Sequence, residues 1–449
     1  MEKLLTKSQH TEDIMLDAFK IRASEILAAE EAYHKVDPTV KIGLEVEYSL
    51  VDNRFDQAPE TVRNTVVAEN PDFIDAEMGA AQIELRTDPI DALDNAGFGA
   101  IHESLVKRQR LLNHAATKNS TILLASGSNP FVPITDIARS DKLKYQLVPN
   151  FHNVNHNGCS TILGDEGLDV GDAAIVGILN SVQANIEAAG FCDAIDKLNR
   201  SFMIGPMAVA LTANARFLDL KDSCVDDVRM IAWELSHETR TNEEINIGIA
   251  PRAGIPSRYY YDVGDYLDQV MSYPFILNVP DKAMEVGIGL NWRDARIKFV
   301  EDSTVVEFRP VSTQPTPEGN SAAMAFYVGR LLWSQINKEG LLPIEKVRDN
   351  RDSAMTVGSR ALLWTSTDTG KIVRASAQEV LPLEIEKAVS GLEASGTPDV
   401  ELVRELMFEL NQNLVTGTPS SKLNAFVKTS VENRKEAIID GLAKLGSIG

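Results

Sequence analysis

The 449-residue sequence predicts an α+β fold, an antiparallel sheet with helices on one side and a wet, functional face on the other. Three observations carry this reading. The strand candidates are polar at every second residue, whereas strands of parallel sheets are usually apolar on both faces. Long segments of helical periodicity separate them. The chain also lacks GxxxxGK[ST] and a strand-linked GxGxxG, so the parallel P-loop and Rossmann architectures have no sequence support.

The elements follow in order. Residues 12–35 carry a helical stripe of Ile14, Met15, Ala18, Phe19, Ile21, Ile26 and Leu27, and Asp37-Pro38 is expected to end it. Residues 41–51 and 81–87 alternate as strands, the second stopping at Asp88-Pro89. Residues 92–118 read as helix, 121–125 as an apolar strand, and Gly127 with Pro130 as a turn. The stretch 150–171, rich in Asn, Gly, His and Asp, reads as a loop or lid. Further strands are expected at 181–186, 287–290, 295–300 and 304–310, and helices at 192–216 and 321–338. Beyond Pro343 the chain reads as almost wholly helical, clearest at 374–396, 399–413 and 420–445. This organisation predicts a catalytic core with an N-terminal helix over 1–345 and a helical extension packed on it over 346–449.

Composition narrows the function. Hydrophobic residues make up 44% and charged residues 24%, the balance of a globular chain with a large core. A net charge of −21 argues against general nucleic-acid binding, which needs clustered Lys and Arg. It leaves room for an anionic small molecule, because a bound cation and a few arginines reverse the field inside a cleft. Cys159, Cys192 and Cys224 form no CxxC pair, so neither a disulfide framework nor a zinc site is indicated. The N-terminal residues lack the unbroken apolar stretch of a signal peptide, and no run of 18 apolar residues offers a membrane span. The expectation is a cytoplasmic protein with no membrane or nucleic-acid partner.

Four strand candidates each place two polar side chains at i and i+2, hence on one face. They are Glu45 and Glu47, Gln82 and Glu84, Gln183 and Asn185, and Glu307 and Arg309, with Glu77 seven residues before Glu84. Alternating glutamates are ordinarily a strand's solvated face, and any one pair is best explained so. Converging on one concave face, however, they repel, and divalent cations remove that cost. Glu45, Glu47, Glu77, Glu84 and Glu307 thus form a plausible cage for two or three Mg²⁺ ions bridging ATP, with Arg309 stabilising a transferring phosphoryl group. His152, His156 and Cys159 have a metal-like spacing, but their Asn/Gly-rich surroundings favour a surface loop. The run Tyr259-Tyr260-Tyr261 reads as packing.

An ordered series of motifs then resembles a known family. GLEVEYSLVD at 43–52, EMGAAQIEL at 77–85, LLASGSNPF at 123–131 and VQANIE at 182–187 are similar, in that order, to segments of the glutamate–cysteine ligase superfamily. So are IGPMAVALTANARF at 204–217, the Arg229, Trp233 and Arg240 spacing, and ARIKFVEDSTVVEFRP at 295–310. The resemblance covers roughly residues 40–335. It implies a glutamine-synthetase-like fold, a curved antiparallel half-funnel with helices outside, acting as an ATP-dependent carboxylate–amine ligase. Glutamate's γ-carboxylate would be phosphorylated and an amine, cysteine first of all, would displace the phosphate.

The same resemblance assigns metal binding to Glu45, Glu47, Glu77, Glu84 and Glu307, with Mg²⁺ as the ion, Mn²⁺ as its substitute and ATP as cosubstrate. Arg309, Glu47 and Glu84 would be catalytic. Arg229, Arg240, Gln183, Asn185 and Trp233 would bind substrate, although Gln183 stands where some relatives carry a His. The chain departs from the pattern at Asn214-Ala215-Arg216 and over 157–180, so an acceptor other than cysteine, in specialised metabolism, is the alternative. A catalytically silent homologue would have lost metal carboxylates, and all five are present.

Overall fold

The computed structural model describes residues 9–35, 40–93, 97–367, 369–431 and 433–448 (only the backbone for 9–11). The helix stop expected at Asp37-Pro38 lies outside the described residues. Eight strands form one antiparallel sheet: β1 Lys41–Val51, β2 Ile74–Ala76, β3 Gln82–Arg86, β4 Ile90–Asp91, β5 Ile122–Leu124, β6 Ser181–Ala188, β7 Ala295–Val300 and β8 Ser303–Ser312. Their order is β7-β8-β6-β1-β3-β2, with β4 and β5 also paired to β1. The sheet curls into a half-barrel, the α+β architecture the sequence predicts.

Alternation separates its two faces. Ile42, Leu44, Val46 and Tyr48 of β1, Val182, Ala184 and Ile186 of β6, and Val306 and Phe308 of β8 are buried in one apolar core. The helices around the sheet include, in order, α1 Gln9–Ala28, α2 Gly97–Lys118, α3 Leu143–Asn155, α4 Phe191–Thr212, α5 Val228–Ser236, α6 Ala283–Gly289 and α7 Pro317–Ile336; α2, α4 and α7 pack on the apolar core, whereas α3, α5 and α6 border the opposite, polar face. Phe308 stacks on Tyr327 of α7 with ring centroids 3.8 Å apart, and Tyr48 donates to Gln109 of α2 at 2.8 Å.

After α7 come α8 Ile344–Val357, a hairpin of β9 Leu362–Ser366 and β10 Ile372–Ser376, then α9 Ala377–Ser395, α10 Val400–Thr416, α11 Pro419–Thr429 and α12 Arg434–Leu445. The main core runs on into this part through Leu381, Ile385, Val403 and Leu410. A Cβ on Gly329 would lie 2.1 Å from the Ala388 carbonyl oxygen, and one on Gly391 would lie 2.0 Å from that of Gly329. Helices α7 and α9 therefore touch backbone to backbone, as only glycine permits.

Several local expectations need correction. The strand expected at 287–290 is the end of α6; four apolar residues cannot tell helix from strand by period. The β9–β10 hairpin interrupts the part read as almost wholly helical, and the helix expected from 374 begins at Ala377. Helix α3 runs to Asn155, into the stretch read as loop, and a two-residue hairpin at Ile162–Leu163 and Leu168–Asp169 follows. His152 is no surface residue: it faces inward from α3 and is fully buried. Among the described residues no helix is long and apolar enough to cross a membrane, and all three cysteines are free and exposed.

Candidate active site

The polar face of the sheet floors a cleft of about 640 Å³. Register explains how the glutamates meet. Glu47 stands opposite Glu84 of β3, Glu45 opposite Gln183 of β6, and Glu307 between Asn185 of β6 and Arg296 of β7. Glu77 joins them from the turn after β2. That turn is pinned by Gln82, which accepts from the Gly79 N–H at 3.1 Å and donates to the Leu179 carbonyl at 2.7 Å. It also needs glycine, because a Cβ on Gly79 would lie 1.9 Å from the Gly177 carbonyl oxygen.

The carboxylates fall into two groups. Glu47 accepts from the Ser181 N–H at 2.6 Å, the Ser181 hydroxyl at 2.9 Å and Gln183 at 3.3 Å. Burial, then the charge of Glu77, still pushes its carboxyl up to about 7. Burial and the charges of Glu45, Glu77 and Glu47 push Glu84 well above the ordinary value. Glu77 is raised too, chiefly by burial, although Tyr145 of α3 donates to it at 3.2 Å and Lys144 opposes the shift.

Glu307 is the reverse. Burial raises its carboxyl, but Arg296, Arg309 and Lys298 together outweigh burial and hold it well below the usual range. Lys298 lies 2.7 Å and Arg309 3.1 Å from its Oε1, and Arg296 pairs with Oε2. Lys298 also donates to Asn185 at 3.2 Å and reaches to 3.8 Å from Glu45.

Arg309 owes its aim to a β-bulge. The β8–β6 register shifts between Phe308 and Val311, so Arg309 and Pro310 together oppose Gln183. Pro310 has no N–H to give the ladder and suits the irregular position. The Arg309 N–H bonds the Asp294 carbonyl at 2.9 Å, and its Nη1 donates to Gln183 Oε1 at 2.9 Å. Arg229 of α5 braces the bulge, donating from Nη2 to the Arg309 carbonyl at 3.0 Å and from Nε to Ser312 at 3.3 Å.

Of the residues the sequence singled out, the five glutamates, Gln183, Arg229, Trp233 and Arg309 line this cleft. Asn185 touches it through Lys298. Arg240 instead lines a neighbouring pocket, paired with Glu238 at 2.9 Å. Sequence reasoning missed Arg296 and Lys298, whose i, i+2 spacing on β7 is the signal used for the other four pairs. It also missed His237 and Trp292, which gather with Trp233 on the far wall with ring centroids 4.7–5.6 Å apart. Burial, then Arg252, lowers the imidazole of His237 to about 3, so it is neutral at physiological pH.

Whether this donor set suits metal ions is a question of charge and geometry. Glu47, Glu77 and Glu84 are hard oxygen donors pushed toward protonation first by burial and then by neighbouring carboxylate charge, and a divalent cation would oppose both. The set fits in its chemistry. Among the described residues, however, no three acidic, His or Cys side chains are grouped closely enough to hold one ion as they stand, and Glu307 is already engaged by three cations.

The curled antiparallel sheet with its helices is similar to the fold of glutamate–cysteine ligases. The chain is similar in structure to the glutamate–cysteine ligase of Francisella tularensis solved with AMP, at TM-score 0.57 and 13% identity over 92% of this chain and 90% of that one. It is also similar to a bifunctional glutathione synthetase from Pasteurella multocida, at TM-score 0.57 and 11% identity over 95% of this chain and 55% of that one. No curated protein matches it in sequence. The model of glutamate–cysteine ligase family 2 matches residues 41–355, and the chain belongs to that family. It is thereby an ATP-dependent carboxylate–amine ligase.

Proposed function

We propose that this ligase forms γ-glutamylcysteine from glutamate, cysteine and Mg-ATP. A γ-carboxylate oxygen of glutamate attacks the terminal phosphorus of ATP and ADP leaves. The cysteine amine then attacks the acyl carbon, phosphate departs, and an amide remains. The observation that carries the reading is the pairing, in one cleft, of a crowded carboxylate wall pushed toward protonation with an arginine aimed by a bulge.

Glu45, Glu47, Glu77 and Glu84 would hold the Mg²⁺ ions, which supply charge neutralisation between the anionic reactants. Arg309, held by Gln183 and Glu307, would meet the transferring phosphoryl group. Arg229 supports Arg309 from behind and offers guanidinium charge to a substrate carboxylate. Tyr145 and Val148 of α3 border the cleft, and the 150–171 stretch that continues from them is assigned the exclusion of water from the acyl phosphate.

Mass spectrometry of products from purified protein, Mg-ATP, glutamate and a panel of amines tests this. A γ-glutamylcysteine product with one ADP per amide is expected, and a different glutamyl amide would move the acceptor elsewhere. Glu45→Gln is expected to abolish amide formation in a protein with an unchanged circular dichroism spectrum. An active Glu45→Gln enzyme would overturn the carboxylate wall's role.

A further inference from the structure

Four of the five glutamates, Glu45, Glu47, Glu84 and Glu307, are aimed by the ladders of β1, β3 and β8. Glu77 stands beyond the end of β2, where its N–H reaches the Gln82 carbonyl at 3.2 Å. Its aim therefore depends on what holds the 77–80 turn. Against that turn packs Arg63, from the helix Glu60–Glu69, 1% exposed and no part of the cleft lining.

Arg63 spends all five of its guanidinium N–H groups. Nη1 donates to the Glu77 carbonyl at 3.2 Å and to that of Gly79 at 3.1 Å. Nε donates to Asn64 at 3.0 Å, and Nη2 to Ser140 at 3.2 Å and to Glu60. A rigid planar fork fixes two carbonyls relative to each other, which a point charge on a flexible stem does not.

Glu60 carries the clamp across to α3. Besides Arg63 it accepts from the Ser140 hydroxyl at 2.9 Å and from the Asp141 N–H at 3.2 Å, just ahead of that helix. Backbone bonds run the same way, from the Ser140 N–H to the Met78 carbonyl and from the Ala80 N–H to the Ala138 carbonyl, each at 2.8 Å. Tyr145 of α3 then donates to the Glu77 carboxylate itself at 3.2 Å. The backbone of Glu77 and the partner of its side chain thus hang on one ion pair. Burying that charge is costly, and apolar packing would hold a helix against a loop without it. What the pair adds is a fixed direction.

We propose that Arg63 is a positioning residue for the acidic wall: it fixes the direction in which the Glu77 carboxylate enters the cleft, and so sets the wall's affinity for a divalent cation from outside the cleft. The proposal rests on the metal-binding part of the ligase reading and deepens it, because it places control of that affinity in a residue that touches neither metal nor substrate.

The test is Mn²⁺ binding to the full chain, followed by the electron paramagnetic resonance signal of the free ion. Arg63→Met keeps most of the stem and removes the donors, and should weaken the tightest site by about 10- to 100-fold, as does loss of other groups that orient a metal ligand. Arg63→Lys should recover part of that loss. Ser140→Ala leaves both charges in place and should give a smaller loss of the same kind, which keeps the proposal testable if Arg63→Met does not fold.

Mn²⁺ affinity within about twofold of wild type in folded Arg63→Met would overturn it, since a purely structural arginine lowers the melting temperature and leaves that affinity alone. If Arg63→Met does not fold, wild-type affinity in both Arg63→Lys and Ser140→Ala would do the same. Wild-type protein that binds no Mn²⁺ would take the metal from the acidic wall and this proposal with it. The ligase reading fails separately, as protein that binds Mn²⁺ yet releases no ADP with any acid and amine.

Discussion

The two walls of the cleft are built to opposite electrostatic plans. On the β1–β3 side, Glu47, Glu77 and Glu84 stand half-buried beside one another, and each is pushed toward its protonated form. On the β7–β8 side, a still more deeply buried glutamate, Glu307, is surrounded by Arg296, Lys298 and Arg309 and held ionised. Burial alone would predict the reverse. What differs is whether the sheet supplies the counter-charge itself or, on the proposed reading, leaves it to a cation. A wall that is complete without ligand positions its members; a wall that is incomplete recruits what it lacks.

The largest test of this contrast is at Arg309. Arg309→Met should lower kcat by about 10³-fold or more, as for arginines that meet a transferring phosphoryl group, and single-turnover ADP formation would measure it. It should also release Glu307 from part of its pairing. A kcat within tenfold of wild type would remove Arg309 from the chemistry.

Next in size is the acidic wall. Glu84→Gln should lower activity by about 10²-fold or more, yet raise the melting temperature of the metal-free protein, because it removes a carboxyl whose ionisation the fold opposes and the unfolded chain allows. Adding MgCl₂ should stabilise the wild type by up to about 2.7 kcal/mol at a hundredfold excess over the Kd, and much less in Glu84→Gln. The gain should shrink from pH 8 to pH 5.5, since Glu47, at about 7, takes up a proton over that range. Magnesium that stabilises both proteins equally at both pH values would mean that it binds elsewhere.

The smallest effect concerns pH without metal, and there the acidic wall and the aromatic far wall should oppose each other. Glu47 has a raised value in the folded state, so the folded protein binds the proton first, and its contribution to stability grows as pH falls from about 7 to 4.5. His237 is lowered to about 3, so below about 6.5 the unfolded chain protonates first and stability is lost as pH falls. Differential scanning fluorimetry of His237→Gln should show a shallower loss between pH 6.5 and 4 than wild type. An equally steep loss in the variant would assign the acid limb to other groups.

Much of this was legible in the sequence, for a physical reason. A period of two puts i and i+2 on one face without ambiguity, so β1 and β7 were delimited residue for residue and the acidic wall was read from spacing. The aromatic wall and its arginines were not. His237, Arg252 and Trp292 come from a helix end, a loop and a two-residue strand, segments with no period, brought together only by the fold. His152 misled because polar neighbours in sequence suggested a loop, whereas its neighbours in space are His237 and Trp292, at 4.3 and 5.2 Å.

The glycine crossing of α7 and α9 has a consequence for mutational tolerance. Any side chain at Gly329 or Gly391 would wedge the two helices apart. Two residues before Gly329 stands Tyr327, stacked on Phe308, and the residue after Phe308 is Arg309 in its bulge. A substitution on the outer layer is thus separated from the bulged arginine of the cleft by a single pair of rings.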